Sequence, residues 1–190
     1  MSRTSLSLLE FGLLGLVHDR EPCCGYDLRK VFADTPMGSF SDSPGSIYPA
    51  LARLERAKLI RGHIETTSTV RRRKLFRLTS HGRRALKQWL RQPITQADMI
   101  RGMPELALRF AFLESVLGRS SCVPFLQALE KELAFYVPTL RQHLDIQRAT
   151  NSVSASLALE GGVMGYESRL AWARRALVRL KRKPTRHRAS

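Results

Sequence analysis

Between Ser43 and Gly82 the chain prescribes a capped helix followed directly by a basic β-hairpin. Ser43 stands before Pro44, a strong helix start. The serine oxygen can satisfy an orphan N–H, and a proline in the first turn loses no hydrogen bond there. Ile47, Leu51 and Leu54 recur at i, i+4 and i+7, which predicts one core-facing stripe, while Ser46, Tyr48, Arg53 and Arg56 point elsewhere. Pro49 falls early in this helix, where it tightens or bends it. Leu59 to Glu65 reads as a strand with Ile60 and Ile64 on one face, and Thr66 to Val70 as a polar loop. Lys74 to Leu78 reads as the return strand, with Phe76 and Leu78 on one face and Arg77 on the other. Four consecutive cations, Arg71, Arg72, Arg73 and Lys74, lead into it.

The flanking segments extend the pattern. Leu6 to His18 is apolar nearly all round, so it predicts a helix covered on several sides, with Ser5 as its cap. Arg20-Glu21-Pro22 reads as a turn, since a proline pushes its predecessor out of the helical region. Gly25 to Phe32 predicts a short second helix with Tyr26 on its outer face, and 35–41 a turn. Thr79 caps a fourth helix running to about Gln92, with Leu86, Trp89 and Leu90 as its apolar side. A three-helix core followed by a basic hairpin is the arrangement of a winged helix-turn-helix. Such a module sets one helix in the DNA major groove and lets the hairpin hold the backbone.

Beyond Pro93 the pattern is all-helical. Pro104 opens a helix that Gly118 closes. Ser121 and Pro124 start another, with Pro138 inside it, and a last long helix runs from about Ser154 to Lys183. Three long helices bury little by themselves, which predicts pairing with a second copy. Gly161, Gly162 and Gly165 each weaken the last helix by roughly 1 kcal/mol relative to Ala. Their benefit would be close helix approach, across a two-fold axis in a dimer.

The balance of 32 Lys and Arg against 16 Asp and Glu leaves a formal charge of +16. Phosphate contacts release counterions and add affinity, so a polyanionic partner is the natural inference, against the alternative of a generally basic protein. Three cysteines, two of them adjacent, make no disulfide framework and fit a reducing cytoplasm. No apolar run approaches the ~20 residues of a membrane-spanning helix. No nucleophile motif, Gly-rich phosphate loop, carboxylate pair or metal-ligand spacing stands out, so the chain reads as neither an enzyme nor a cofactor or metal carrier.

Three segments of the first half resemble the PadR family of bacterial transcription regulators. Leu13-Leu14-Gly15-Leu16 with Gly25-Tyr26-Asp27-Leu28 is similar to the family's first two helices. Ser43-Pro44-Gly45-Ser46-Ile47-Tyr48-Pro49 with Leu51 and Leu54-Glu55 is similar to its recognition helix. Arg73-Lys74-Leu75-Phe76-Arg77-Leu78-Thr79 with Gly82 is similar to its wing and the helix that follows. The resemblance spans about Leu6 to Leu90 and is looser beyond. It implies a homodimer on double-stranded DNA, a helical second domain, and release by a small-molecule effector. Glu167 and Trp172 sit about where the family's last helix carries an acid and a tryptophan. Two positions depart from the pattern: Cys24 replaces a frequent histidine, and 66–70 replaces a frequent Gly-Arg-Pro wing tip.

The expected architecture is mainly α. It comprises a winged helix-turn-helix at 1–92, a linker at 93–102, a helical dimerisation and effector domain at 103–183 and a basic tail at 184–190. The candidate DNA-binding residues are Tyr26, Ser43, Ser46, Tyr48, Arg53, Arg56, Arg71, Arg72, Arg73, Lys74 and Arg77. Each has a plainer alternative: core for Tyr48, surface charge for Arg53 and Arg56, a solvated loop for 71–74. Trp89 and Trp172 are candidates for an aromatic effector pocket, with core packing as the alternative. Cys23 and Cys24 read as a thiol sensor, as half of a metal site or as small buried residues. The expected function is sequence-specific repression at a palindromic operator. The alternative is a non-specific, architectural nucleic-acid-binding protein.

Overall fold

A computed structural model describes residues 6–34, 43–65, 73–150 and 152–181. The expected turn at 35–41, the loop at 66–70, Arg71, Arg72, Ser5 and the basic tail lie outside them. The chain is mainly helical, with one small antiparallel sheet. It divides into two units: Met1–Gln92 with Ala107–Val116, and Pro93–Leu106 with Leu117–Ser190.

The first unit begins with α1 (Leu8–Arg20). Its cap is Ser7, not Ser5. Ser7 Oγ accepts from the Glu10 N–H, and the Glu10 carboxylate accepts from the Ser7 N–H, so the reciprocal capping box fixes the start two residues later than expected. Leu13, Leu14 and Val17 are fully buried, and Phe11 stacks on Trp89 at 4.4 Å. Gly15 sits so close to the ring of Phe112 that a Cβ would overlap it, which brings the Ala107–Val116 segment hard against α1. Helix α2 (Gly25–Asp34) and helix α3 (Pro44–Arg56) follow. Ser43 caps α3 as expected, accepting from the Gly45 N–H, and Ile47, Leu51 and Leu54 are buried.

The sheet has three strands in the order β1-β3-β2: β1 (Cys23–Cys24), β2 (Ile60–Glu65) and β3 (Arg73–Leu78). The two-residue β1 is a correction, since 20–22 and the cysteines carried no strand signal. It exists only because Cys23 pairs with Phe76 and Cys24 with Leu75. Phe76 and Leu78 are buried and Arg77 is exposed, as expected, but Ile64 is exposed. Ile60 and Ile64 do share a face, yet only Ile60 lies over the core. At Ile64, opposite Lys74, the hairpin has passed beyond it.

Thr79 caps α4 (Ser80–Leu90) by accepting from the Gly82 N–H. Its hydroxyl also donates to the carbonyls of Lys58 and Leu59. A Cβ at Gly82 would overlap the Leu59 carbonyl, so the close approach of α4 to the start of β2 demands glycine. In α6 (Met103–Leu117), Arg109 is buried and donates to the carbonyls of Leu90 and Gln92.

In the second unit, residues 93–102, read above as a linker, contain α5 (Gln96–Arg101). It is opened by a Thr95–Asp98 capping box and anchored by the fully buried Met99. The Tyr166 hydroxyl donates to the Met99 carbonyl at 3.1 Å. Gly118, at φ +88°, ends α6 ahead of a 3-10 turn. Helices α7 (Cys122–Arg148) and α8 (Val153–Lys181) pack antiparallel. The pairs Glu130–Arg174, Arg141–Glu167 and Arg148–Glu160 run in opposite order along them. Val163 and Ala173 are the buried residues of α8, whereas Val153, Leu157, Met164 and Val178 share another face and are exposed. At Gly161, Gly162 and Gly165 a Cβ would meet nothing within 4 Å, so no close approach within the described chain explains them.

Candidate nucleic-acid interface

Two elements of the first unit carry the candidate site, α3 and the β2–β3 hairpin, and Glu55 joins them. Its Oε1 accepts from the Gly62 N–H at 3.1 Å and its Oε2 from Lys74 Nζ at 2.6 Å. Lys74 also stands 5.6 Å from the centre of the Phe76 ring. The ion pair holds the hairpin on α3, while about half of the Lys74 side chain remains exposed.

Arg53 is engaged in the same way. Its Nε donates to Glu10 Oε1 at 2.7 Å. Burial pushes the Glu10 carboxyl up, but hydrogen bonds from Ser7 and Arg53 and the arginine's charge outweigh it, leaving the group below its ordinary value. Arg53 thus ties α3 to α1, though half of its side chain remains exposed. Arg56, Arg73 and Arg77 are exposed and form no ion pair among the described residues.

The outward face of α3 is narrow. Tyr48 is 48% exposed, Pro49, Ala52, Arg53 and Arg56 are exposed, and Ser46 is half-buried. Pro49 and Ala52 are not among the expected DNA-binding residues, because small uncharged side chains carry no charge signal. Their value is that they let a helix approach a groove closely. The Tyr48 ring rests on α2, where a Cβ at Gly25 would come 2.7 Å from it. Tyr48 therefore combines the two readings, with its ring against backbone and its outer part in solvent. Tyr26 is 59% exposed and has the Arg29 guanidinium 5.8 Å from its ring centre. Ser43 is exposed, with Oγ held by its capping bond.

The hairpin's outer face was only partly legible. Arg61 pairs directly with Arg77 across the strands, and both are exposed. Two guanidinium groups facing each other repel, so this pair is unfavourable until an anion lies against it. Arg61 carries no signal along the sequence because its significance lies in the register. Arg71 and Arg72 lie outside the described residues.

The two cysteines point to opposite faces, as neighbours in a strand must. Cys23 shares the buried side of Phe76 and its thiol is pushed up to about 11, first by burial and then by Asp27. Such a thiol is unreactive. The Asp27 carboxyl is held below its ordinary value by the Cys24 thiol and then by the Cys24 N–H. Trp89 is buried against Phe11, which makes it core rather than pocket lining, while Trp172 is 39% exposed.

The capped helix and the cationic hairpin that Glu55 joins to it both lie within the segment that the family comparison matches. Residues 13–88 match the Transcriptional regulator PadR-like family. This segment is a PadR-like domain. The PadR-like domain belongs to transcription regulators, not to enzymes. Chains of solved structure similar to this one include Bacillus subtilis PadR in complex with operator DNA, at 21% identity over 93% of this chain and 99% of that one, with a TM-score of 0.43. A PadR-like regulator from Bacillus cereus is 22% identical over 95% and 100%, at 0.41. Bacillus subtilis PadR in complex with p-coumaric acid is 19% identical over 96% and 100%, at 0.40. The comparison with curated proteins finds no match. Among the described residues no helix is long and apolar enough to cross a membrane.

Proposed function

We propose that the PadR-like domain binds operator DNA as half of a homodimer and represses transcription in a bacterial cytoplasm. The observation that carries this reading is the outward face of α3, held by Glu55 beside a hairpin face where Arg61 and Arg77 confront each other. Small residues on the helix suit close approach to base edges. Unpaired cations on the hairpin suit phosphates.

The homodimer rests on α8. Its exposed apolar strip at Val153, Leu157, Met164 and Val178 borders the face that packs on α7 and is left uncovered by it. Two recognition helices about 34–36 Å apart would then read a palindromic site. An aromatic effector bound by the helical unit, with Trp172 as its candidate contact, would bias the separation between them.

Selection of bound sequences from random duplexes tests this, followed by affinities for the selected site and for random DNA at one salt concentration. A specificity ratio of about 10³ or more marks an operator-binding regulator. A ratio near one would favour the architectural, charge-driven reading. Quenching of tryptophan fluorescence by p-coumaric acid, abolished in Trp172→Phe, tests the effector contact.

A further inference from the structure

Helix α4 carries a cationic face of its own. Arg84, Lys87, Gln88, Arg91 and Gln92 line a shallow concavity of about 440 Å³, and all five are exposed. The buried side of the helix is Leu86, Trp89 and Leu90. Arg83 is neutralised by Glu21, but Arg84, Lys87 and Arg91 have no ion pair among the described residues. They stand at i, i+3 and i+7, one above another, so each repels the next. No acidic residue occurs between Arg73 and Gln92 to relieve them.

This face is not part of the α3 surface. Arg53 of α3 reaches Glu10 of α1, while Trp89 of α4 stacks on Phe11. Successive residues of a helix point about 100° apart. Helices α3 and α4 therefore flank α1 on different sides, and their solvent faces diverge.

We infer that the outer face of α4 binds the phosphate backbone of a second DNA segment, so that one regulator bridges two stretches of duplex. The lining selects this occupant. It holds three cations and two amides and not one apolar side chain. Protein interfaces are rich in aromatic residues and poor in lysine. Phosphate contacts come from Arg, Lys and Gln. A row of exposed cations without ion pairs meets phosphates whatever the sequence, so the contact is independent of sequence. The inference rests on the operator-binding reading above.

The test uses the full-length protein loaded on an immobilised duplex bearing its selected site, offered a fluorescent random duplex. Wild type should capture the second duplex, and capture should weaken about 40-fold between 50 and 200 mM salt if three phosphates are met. The triple variant Arg84→Ala, Lys87→Ala, Arg91→Ala should lose capture while keeping its affinity for the selected site within twofold. Arg84→Lys with Arg91→Lys should restore capture, because a phosphate accepts either cation. No capture by wild type that still holds its selected site overturns the inference. So does equal loss of both activities in the triple variant, which would put α4 in the operator contact. Capture displaced by polyglutamate but not by an equal charge of competing duplex would assign the face to an acidic protein and overturn it as well. Failure to hold any selected site strikes the operator reading instead.

Discussion

Arg53 of the recognition helix donates to Glu10 of the first helix at 2.7 Å, and the same carboxylate closes the capping box of that first helix. One acid, almost fully buried, thus starts α1 and sets α3 upon it. Losing its charge should be felt as stability. Glu10→Gln should cost about 2 kcal/mol at neutral pH, the value of hydrogen bonds to a charged group. Because the folded carboxyl lies below its ordinary value, its contribution is complete above about pH 4.3 and is lost as the pH falls further. Glu21, also lowered, acts in the same direction. Denaturant melts of both proteins should converge towards pH 3. A constant difference down to that pH would show that the charge is not what matters.

Tyr48 presents its outer half to solvent and its ring to Gly25. Tyr48→Phe should keep the melting temperature and lose about 0.5–1.5 kcal/mol of operator affinity, the worth of one hydrogen bond. Gly25→Ala should do the reverse in part, displacing the ring and lowering the melting temperature. A destabilised Tyr48→Phe variant with intact affinity would place the hydroxyl in the core.

Arg61 and Arg77 should give effects of opposite sign in the free and bound states. Replacing Arg77 by Ala removes a directly opposed like charge, so the free protein should gain a few tenths of a kcal/mol. The same change should weaken operator and random DNA alike and flatten the log–log salt dependence by about 0.9 per lost phosphate. A shifted sequence preference with an unchanged salt slope would mean that the hairpin reads bases.

Met164→Asp places a charge in the middle of the exposed apolar face of α8. Met164 is 60% exposed, so the helical content should survive in circular dichroism. Sedimentation should show the wild type as a dimer at micromolar concentration and the variant as a monomer. A wild-type monomer would remove α8 as the dimer face.

Local chemistry wrote the elements into the sequence. Ser43-Pro44, Thr79 and Gly118 mark helix ends through bonds and angles within a few residues, and the i, i+4, i+7 stripe of α3 needs no partner to be seen. The winged helix-turn-helix and the helical second half followed from such signals alone. What tertiary structure decided is everything that depends on which distant residues meet. Strand β1 is two residues long and is defined by Phe76 and Leu75 more than fifty positions away. Arg53 and Lys74, expected at the DNA, each also bind a glutamate on another element while staying about half exposed. Arg61 matters only through its register with Arg77, and Trp89 is core only because Phe11 lies on it. Charge and periodicity can be read along a chain because they are sums over neighbours. Pairing cannot, because the partner of a charge or a ring is chosen by the fold.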